Sequence, residues 1–167
     1  MSEEILHVAF IGKSKLLKTY TLLKLANIQY SEDLFPSKAI TYYPLEWEYN
    51  ESLIKYNAYD IPGMEKYQGS VSVYLLSLDV VVLFGSCVNN LLKYCNNATY
   101  LILYKAPQNV SNLNFHGSVF IANTQEELVN HLRDIYLLEV KNSPATESMI
   151  ESKVLRKKTK KCFPCMS

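Results

Sequence analysis

Four short apolar runs constrain this chain more than any other feature. Residues 5–11 form a β-branched-rich run that ends at Gly12, and residues 80–84, 99–104 and 118–122 are continuous or nearly continuous aliphatic stretches. Each is too short for a core helix. The last three read as strands buried on both faces, the condition of a parallel sheet covered by helices. Between the first two lies a different pattern: two aromatic-rich segments, 39–49 and 53–59, separated by Asn50, Glu51 and Ser52, which predict a β-hairpin. The fold class expected is therefore α/β, mostly parallel with one antiparallel hairpin strand.

The helical pattern is uneven. Leu16, Leu17, Tyr20, Leu23 and Leu25 follow Gly12 near helical spacing, and residues 27–38 carry Ser31, Glu32, Asp33, Pro36 and Ser37, an exposed loop. Residues 65–78 predict a weakly periodic helix, 89–95 one of barely two turns, and 107–117 none. Thr124 with Glu127 three residues on makes a capping box for a last helix whose Leu128, Leu132 and Ile135 share one face. Asn142, Ser143 and Pro144 close the domain, giving residues 1–141 as a globular unit and 142–167 as a flexible basic tail.

Charge sharpens that division. The whole chain of 167 residues is near neutral at +1, but residues 1–150 carry eleven basic and fifteen acidic side chains, whereas 151–167 carry six basic and one acidic. No global field gathers nucleic acid; a basic tail hangs on a mildly acidic body. Four Cys do not make a disulfide scaffold, and the first residues lack the apolar stretch of a signal peptide, so a reducing, cytoplasmic setting is expected. In that setting the Asn-x-Ser/Thr triplets at Asn50, Asn97 and Asn109 are chance matches. No apolar run is long enough to span a bilayer.

In an α/β sheet the ligand belongs at the carboxyl ends of the strands, which directs attention to the loop after the first strand. It reads Gly12-Lys13-Ser14-Lys15-Leu16-Leu17-Lys18-Thr19. A phosphate loop wants Gly, four residues, Gly, Lys, and Ser or Thr. Gly12, Lys18 and Thr19 are in place, and Leu17 stands where the second Gly belongs. Backbone amides and a helix N-terminus would cradle the anion, the Lys18 ammonium would reach the terminal phosphates, and the Thr19 hydroxyl would bind Mg²⁺. Leu17 would be strained by about 1 kcal/mol or more if its φ had to be positive. Taken alone, a Gly followed by a Lys-Thr helix start also arises by chance.

A second element follows the hairpin: Tyr59-Asp60-Ile61-Pro62-Gly63-Met64-Glu65-Lys66-Tyr67. It resembles the Asp-x-x-Gly-Gln-Glu-Lys-Tyr stretch of the Ras superfamily, nearest its Rab branch, and the order of helix and strand through Phe84 is similar to that family's. The resemblance covers residues 5–85 well and 86–140 more weakly. It implies a Ras-like P-loop fold with GTP or GDP and Mg²⁺ as cofactors. Lys18 would contact the β- and γ-phosphates, Thr19 would ligate Mg²⁺, Asp60 would hold it through water, and the Gly63 amide would sense the γ-phosphate. A residue of the first mobile loop, Ser37 or alternatively Thr41, would complete the metal site.

Departures from the family pattern define the expected function. Met64 replaces the Gln that orients the attacking water, so hydrolysis should be very slow. Tyr104-Lys105-Ala106-Pro107 stands where the guanine-reading Asn-Lys-x-Asp belongs, and Pro107 has no carboxylate for the base. Ala122-Asn123-Thr124 keeps at most the Ala of the Ser-Ala-Lys element. The third and fourth helices are shortened or missing. The reading is a divergent, reduced Rab-like small GTPase, a membrane-associated switch or adaptor in vesicle trafficking with weak or altered nucleotide binding. The alternative is a nucleotide-free pseudo-GTPase serving as an interaction scaffold; an unrelated P-loop enzyme is a third option.

The tail fits a membrane role. Lys153, Arg156, Lys157, Lys158, Lys160 and Lys161 lead into Cys162-Phe163-Pro164-Cys165-Met166-Ser167. Basic residues near an anionic leaflet contribute about 1 kcal/mol each, and a lipid on Cys162 or Cys165 would complete the anchor. The resemblance implies prenylation; because Pro164 occupies the C-a-a-X cysteine position, palmitoylation stays open. A solubilising tail with idle thiols is the plain alternative. His7, His116 and His131 read as structural or surface residues. Tyr42, Tyr43, Trp47 and Tyr49 either form an effector-binding surface, as the resemblance implies, or simply cover the sheet. The expected location is the cytoplasmic face of an intracellular membrane, or the cytoplasm.

Overall fold

The aliphatic runs become neighbouring strands of one sheet. A computed structural model describes residues 4–12, 17–30, 38–63, 77–85, 97–105 and 115–142. Its strands are β1 (Leu6–Gly12), β2 (Thr41–Tyr49), β3 (Ser52–Asp60), β4 (Val80–Phe84), β5 (Tyr100–Tyr104) and β6 (Ser118–Ala122), in the order β2-β3-β1-β4-β5-β6. Only the β2–β3 pair is antiparallel. The helices described are α1 (Leu17–Leu25) and α2 (Gln125–Asn142).

Period-two geometry sorts the strand residues onto two faces. Val8, Phe10, Tyr56, Ala58, Val80, Val82, Phe84, Ile102 and Tyr104 pack with Leu22 of α1 and with Leu128, Leu132 and Ile135 of α2. Ala9, Ile11, Val81, Leu83, Leu101 and Leu103 form a second cluster on the other face, closed by Ile61 and Leu78. The predicted apolar face of α2 is thus the one that is buried. Its capping box is present as well: the Glu127 amide donates to Thr124 Oγ1 at 3.1 Å, and Glu127 Oε2 accepts from the Asn123 and Thr124 amides at 2.6 and 3.4 Å. The Tyr56 hydroxyl donates to the Leu132 carbonyl at 2.7 Å, and burial drives its pKa upward.

Three expectations are corrected. The hairpin turn is Asn50–Glu51 alone, with Ser52 already paired to Tyr49, and both turn residues have positive φ (47° and 65°), the primed geometry that matches strand twist. The run 118–122 is not buried on both faces: as the edge strand it leaves Val119 and Ile121 exposed on the face away from α2. Leu17 is unstrained, because the helix already begins there with ordinary φ and its side chain packs against the core. The helix expected over 65–78 lies outside the described residues but for residues 77 and 78, and the one expected over 89–95 lies wholly outside them. Most of 107–117 and the tail beyond Asn142 lie outside them as well; residues 115–117 are non-helical, as expected.

Candidate functional site

β1 lies between β3 and β4, and the carboxyl ends of β1 and β3 are where an α/β sheet of this strand order places a ligand. The end of β1 is reached only because residue 12 is Gly. Its φ is +155°, and a Cβ there would meet the Phe84 carbonyl oxygen at 2.6 Å. After residues 13–16, which are outside the described residues, α1 starts at Leu17 and places Lys18 and Thr19 in its first turn. One strand over from Phe10, β3 ends on Asp60.

These three polar side chains come together from segments more than forty residues apart. Thr19 Oγ1 donates to Asp60 Oδ2 at 2.6 Å. Lys18 Nζ lies 3.1 Å from Asp60 Oδ1 and also donates to the Ile61 carbonyl. Ile61 is itself tied to β1, its amide donating to the Phe10 carbonyl at 3.1 Å. Lys18 is 1%, Thr19 5% and Asp60 0% exposed. Charges so deeply buried require each other, because a lone one would cost several kcal/mol, on the order of its residual desolvation penalty. Asp60 also makes itself felt at Tyr43, whose pKa is raised by burial and then by the carboxylate's charge.

Of the residues the sequence singled out, Gly12, Lys18, Thr19 and Asp60 are gathered here, and Gly63 follows two residues beyond Ile61 as a partly buried bend. Thr41 pairs with Asp60 across β2 and β3, next to the site. Lys13, Ser14, Lys15, Leu16, Ser37, Met64, Cys162 and Cys165 lie outside the described residues. A hydroxyl and a carboxylate are the oxygen donors a hard cation such as Mg²⁺ takes, so the donor set Thr19 and Asp60 fits that ion. Among the described residues no group of three or more His, Cys, Asp or Glu is arranged to hold a metal. What sequence reasoning missed is the engagement of Lys18: it was expected to reach outward for phosphate, and it is turned inward onto Asp60 and Ile61.

The neighbouring strand ends carry less chemistry. Beyond β4 and β5, Gly85 and Lys105 both have positive φ (81° and 50°), and the Lys105 ammonium sits over the Tyr104 ring at 5.6 Å. The histidines take structural parts. His7 stacks on Tyr59, with Nδ1 3.1 Å from the tyrosine hydroxyl, and His131 Nε2 lies 3.0 Å from the Ile121 carbonyl. The hairpin aromatics divide. Trp47 stacks on Tyr56 and Tyr43 packs on the core, while Tyr42 and Tyr49 face solvent, Tyr49 beneath Arg133 at 4.5 Å.

Among the described residues no helix is long and apolar enough to cross a membrane. No protein-family model matches the chain, and no curated protein matches it at a significant level.

Proposed function

We propose that this chain is a reduced, Rab-like small GTPase of Ras-like P-loop fold with shortened or missing third and fourth helices. It takes nucleotide chiefly through its phosphates, hydrolyses it very slowly, and acts as a membrane-associated switch or adaptor in vesicle trafficking. The observation that carries this reading is the meeting of Lys18, Thr19 and Asp60 at the carboxyl ends of β1 and β3. Two partial motifs far apart in sequence gain weight when their key side chains touch.

Thr19 and Asp60, with Ser37 from the preceding loop, would hold Mg²⁺, which when bound neutralises charge on the phosphates. Amides of the loop after Gly12 and of the first turn of α1 accept the anion, with Lys18 adding a positive charge. The amide of Gly63, two residues beyond Ile61, would report on the terminal phosphate. Met64 has no donor to orient water, and Pro107 offers nothing to a guanine edge, which is why phosphate contacts dominate. The tail basic residues with a lipid on Cys162 or Cys165 supply the membrane tether, and the exposed Tyr42 and Tyr49 offer contacts to effector proteins.

Heat-denaturing freshly purified protein and assaying the supernatant for guanine nucleotide, followed by titration with a fluorescent nucleotide in Mg²⁺, tests this directly. Bound nucleotide, or saturable Mg²⁺-dependent binding, is expected; neither result being seen would overturn it. The second reading, a nucleotide-free scaffold, is favoured by one observation: Lys18 is already engaged inside the protein. On that reading EDTA leaves both partner binding and thermal stability unchanged.

A further inference from the structure

We infer that the outer edge of β6 docks a second copy of this chain, the two β6 strands pairing antiparallel about Phe120 so that their sheets become one across a twofold axis.

The sheet has two edges, and they are built differently. β2 forms one, and it carries Pro44, Glu46 and Glu48, residue types that discourage a further strand from adding. β6 forms the other and reads Ser118-Val119-Phe120-Ile121-Ala122, with neither a charge nor a proline. Among the described residues no strand lies beyond it. Burial stops at the same place. Leu101 and Leu103 on β5 are 0% and 1% exposed, whereas their register partners Val119 and Ile121, on the same face, are 42% and 57% exposed.

Backbone direction decides which groups this edge offers. The Ser118 amide donates to the Thr99 carbonyl at 3.1 Å, and the Ala122 carbonyl accepts from the Lys105 amide at 2.9 Å, so both residues turn their backbone groups toward β5. By alternation Phe120 does the same, and Val119 and Ile121 turn theirs outward. Pairing centred on Phe120 sets Val119 opposite the second copy's Ile121, and Ile121 opposite its Val119, each pair exchanging two hydrogen bonds.

A second β6 suits this edge because the strand has the same character in both directions: small residues at its ends, aliphatic ones inside them, an aromatic at the centre. Reversal therefore brings no like charges together and sets the exposed Val119 and Ile121 of both copies side by side on one face. The twofold closes at two copies and leaves only the guarded β2 edges outermost, whereas β6 against β2 would grow without closing. Two five-residue strands bury well under the roughly 1,200 Å² of a stable interface, so the dimer is weak, with Kd on the order of 10–100 µM. His131 opposes it, because its Nε2 already lies 3.0 Å from the Ile121 carbonyl and pairing must displace it.

Sedimentation equilibrium of the full-length chain in reducing buffer, from about 1 to 300 µM, tests this. A monomer–dimer equilibrium is expected. Val119→Lys and Ile121→Lys, each placing a charge at an already exposed position, should weaken it at least about tenfold. Leu53→Lys, which removes a comparably exposed apolar side chain (41%) from the β2–β3 hairpin, should leave it unchanged. His131→Ala frees the Ile121 carbonyl and should tighten association about threefold. Hydrogen exchange on wild type needs no variant: the Val119 and Ile121 amides should gain protection as concentration rises. A chain that stays monomeric up to about 300 µM, or grows beyond two copies, overturns the proposal. So does a dimer that both lysine variants on β6 leave intact, that Leu53→Lys weakens equally, or that His131→Ala fails to tighten. A dimer in which these two amides exchange as fast as in the monomer overturns it as well.

Discussion

Gly12 and Gly85 make a controlled pair, because both have positive φ and stand at the carboxyl ends of neighbouring central strands, Gly12 ending β1 and Gly85 following β4, yet their surroundings differ. A Cβ on Gly12 would stand 2.6 Å from the Phe84 carbonyl oxygen and 2.8 Å from Phe84 Cβ, whereas one on Gly85 would have nothing within 4 Å. Gly85→Ala therefore bears only the conformational cost of an L residue at φ +81°, about 1–2 kcal/mol. Gly12→Ala bears a similar strain and must also push β1 from β4, where Gly12 and Phe84 are register partners; forced overpacking of this kind adds about 1–3 kcal/mol. The obstacle is backbone, so no side-chain rotation relieves it. The expected difference between the two variants is about 2 kcal/mol, or roughly 4–8 °C in Tm for a domain of this size. Thermal and urea unfolding of both, followed by circular dichroism, measures it. If Gly12→Ala proves no more destabilising than Gly85→Ala, the close packing of the strand ends beneath the candidate site is not as described.

Three further outcomes are expected. Thr124→Ala removes the hydroxyl that accepts from the Glu127 amide and should cost about 1 kcal/mol, read as a lower urea midpoint at unchanged m value. Glu51→Gly relieves a left-handed residue in the hairpin turn (φ 65°) and should raise stability by roughly 1 kcal/mol in the same assay; a loss would show that the Glu51 side chain has a role the turn geometry does not require. Tyr100 is pushed up to about 12 by its 2.5 Å hydrogen bond to Glu139, with burial adding to it, above its ordinary value of 10.0. Folding thus favours the protonated phenol, so this stabilisation is complete below pH 10 and is lost as pH rises toward about 12. Tm measured from pH 9 to 12 should fall less steeply in Tyr100→Phe than in wild type.

What the sequence made legible was local. The strands at 80–84 and 118–122 coincide with their apolar runs, because a short apolar run between polar breaks leaves little freedom in where pairing starts. The capping box was equally plain, since Thr124 and Glu127 need only each other and the first helical turn. The exposure of Val119 and Ile121 was not legible, because an edge strand and a central strand can be written with the same letters; only the sheet order separates them. Leu17 misled for a related reason. Spacing counted from Gly12 put it in a phosphate-binding turn, where a side chain is costly, but the chain enters its helix at that residue and the cost vanishes.

The inward engagement of Lys18 was not legible in the sequence. A lysine beside a Thr at a helix start is ordinarily a solvated or ligand-facing charge, and its two acceptors lie on a strand end 42 and 43 residues away, beyond any local pattern. An apolar cluster of the same volume would stabilise the fold as well or better than a buried ion pair. The helix could have begun with two aliphatic residues facing an aliphatic one on β3, continuous with the core at Phe10 and Ile61. The chain instead keeps an ammonium, a hydroxyl and a carboxylate there, so the cost of desolvating charge falls at the carboxyl ends of β1 and β3, where an α/β sheet places its ligands.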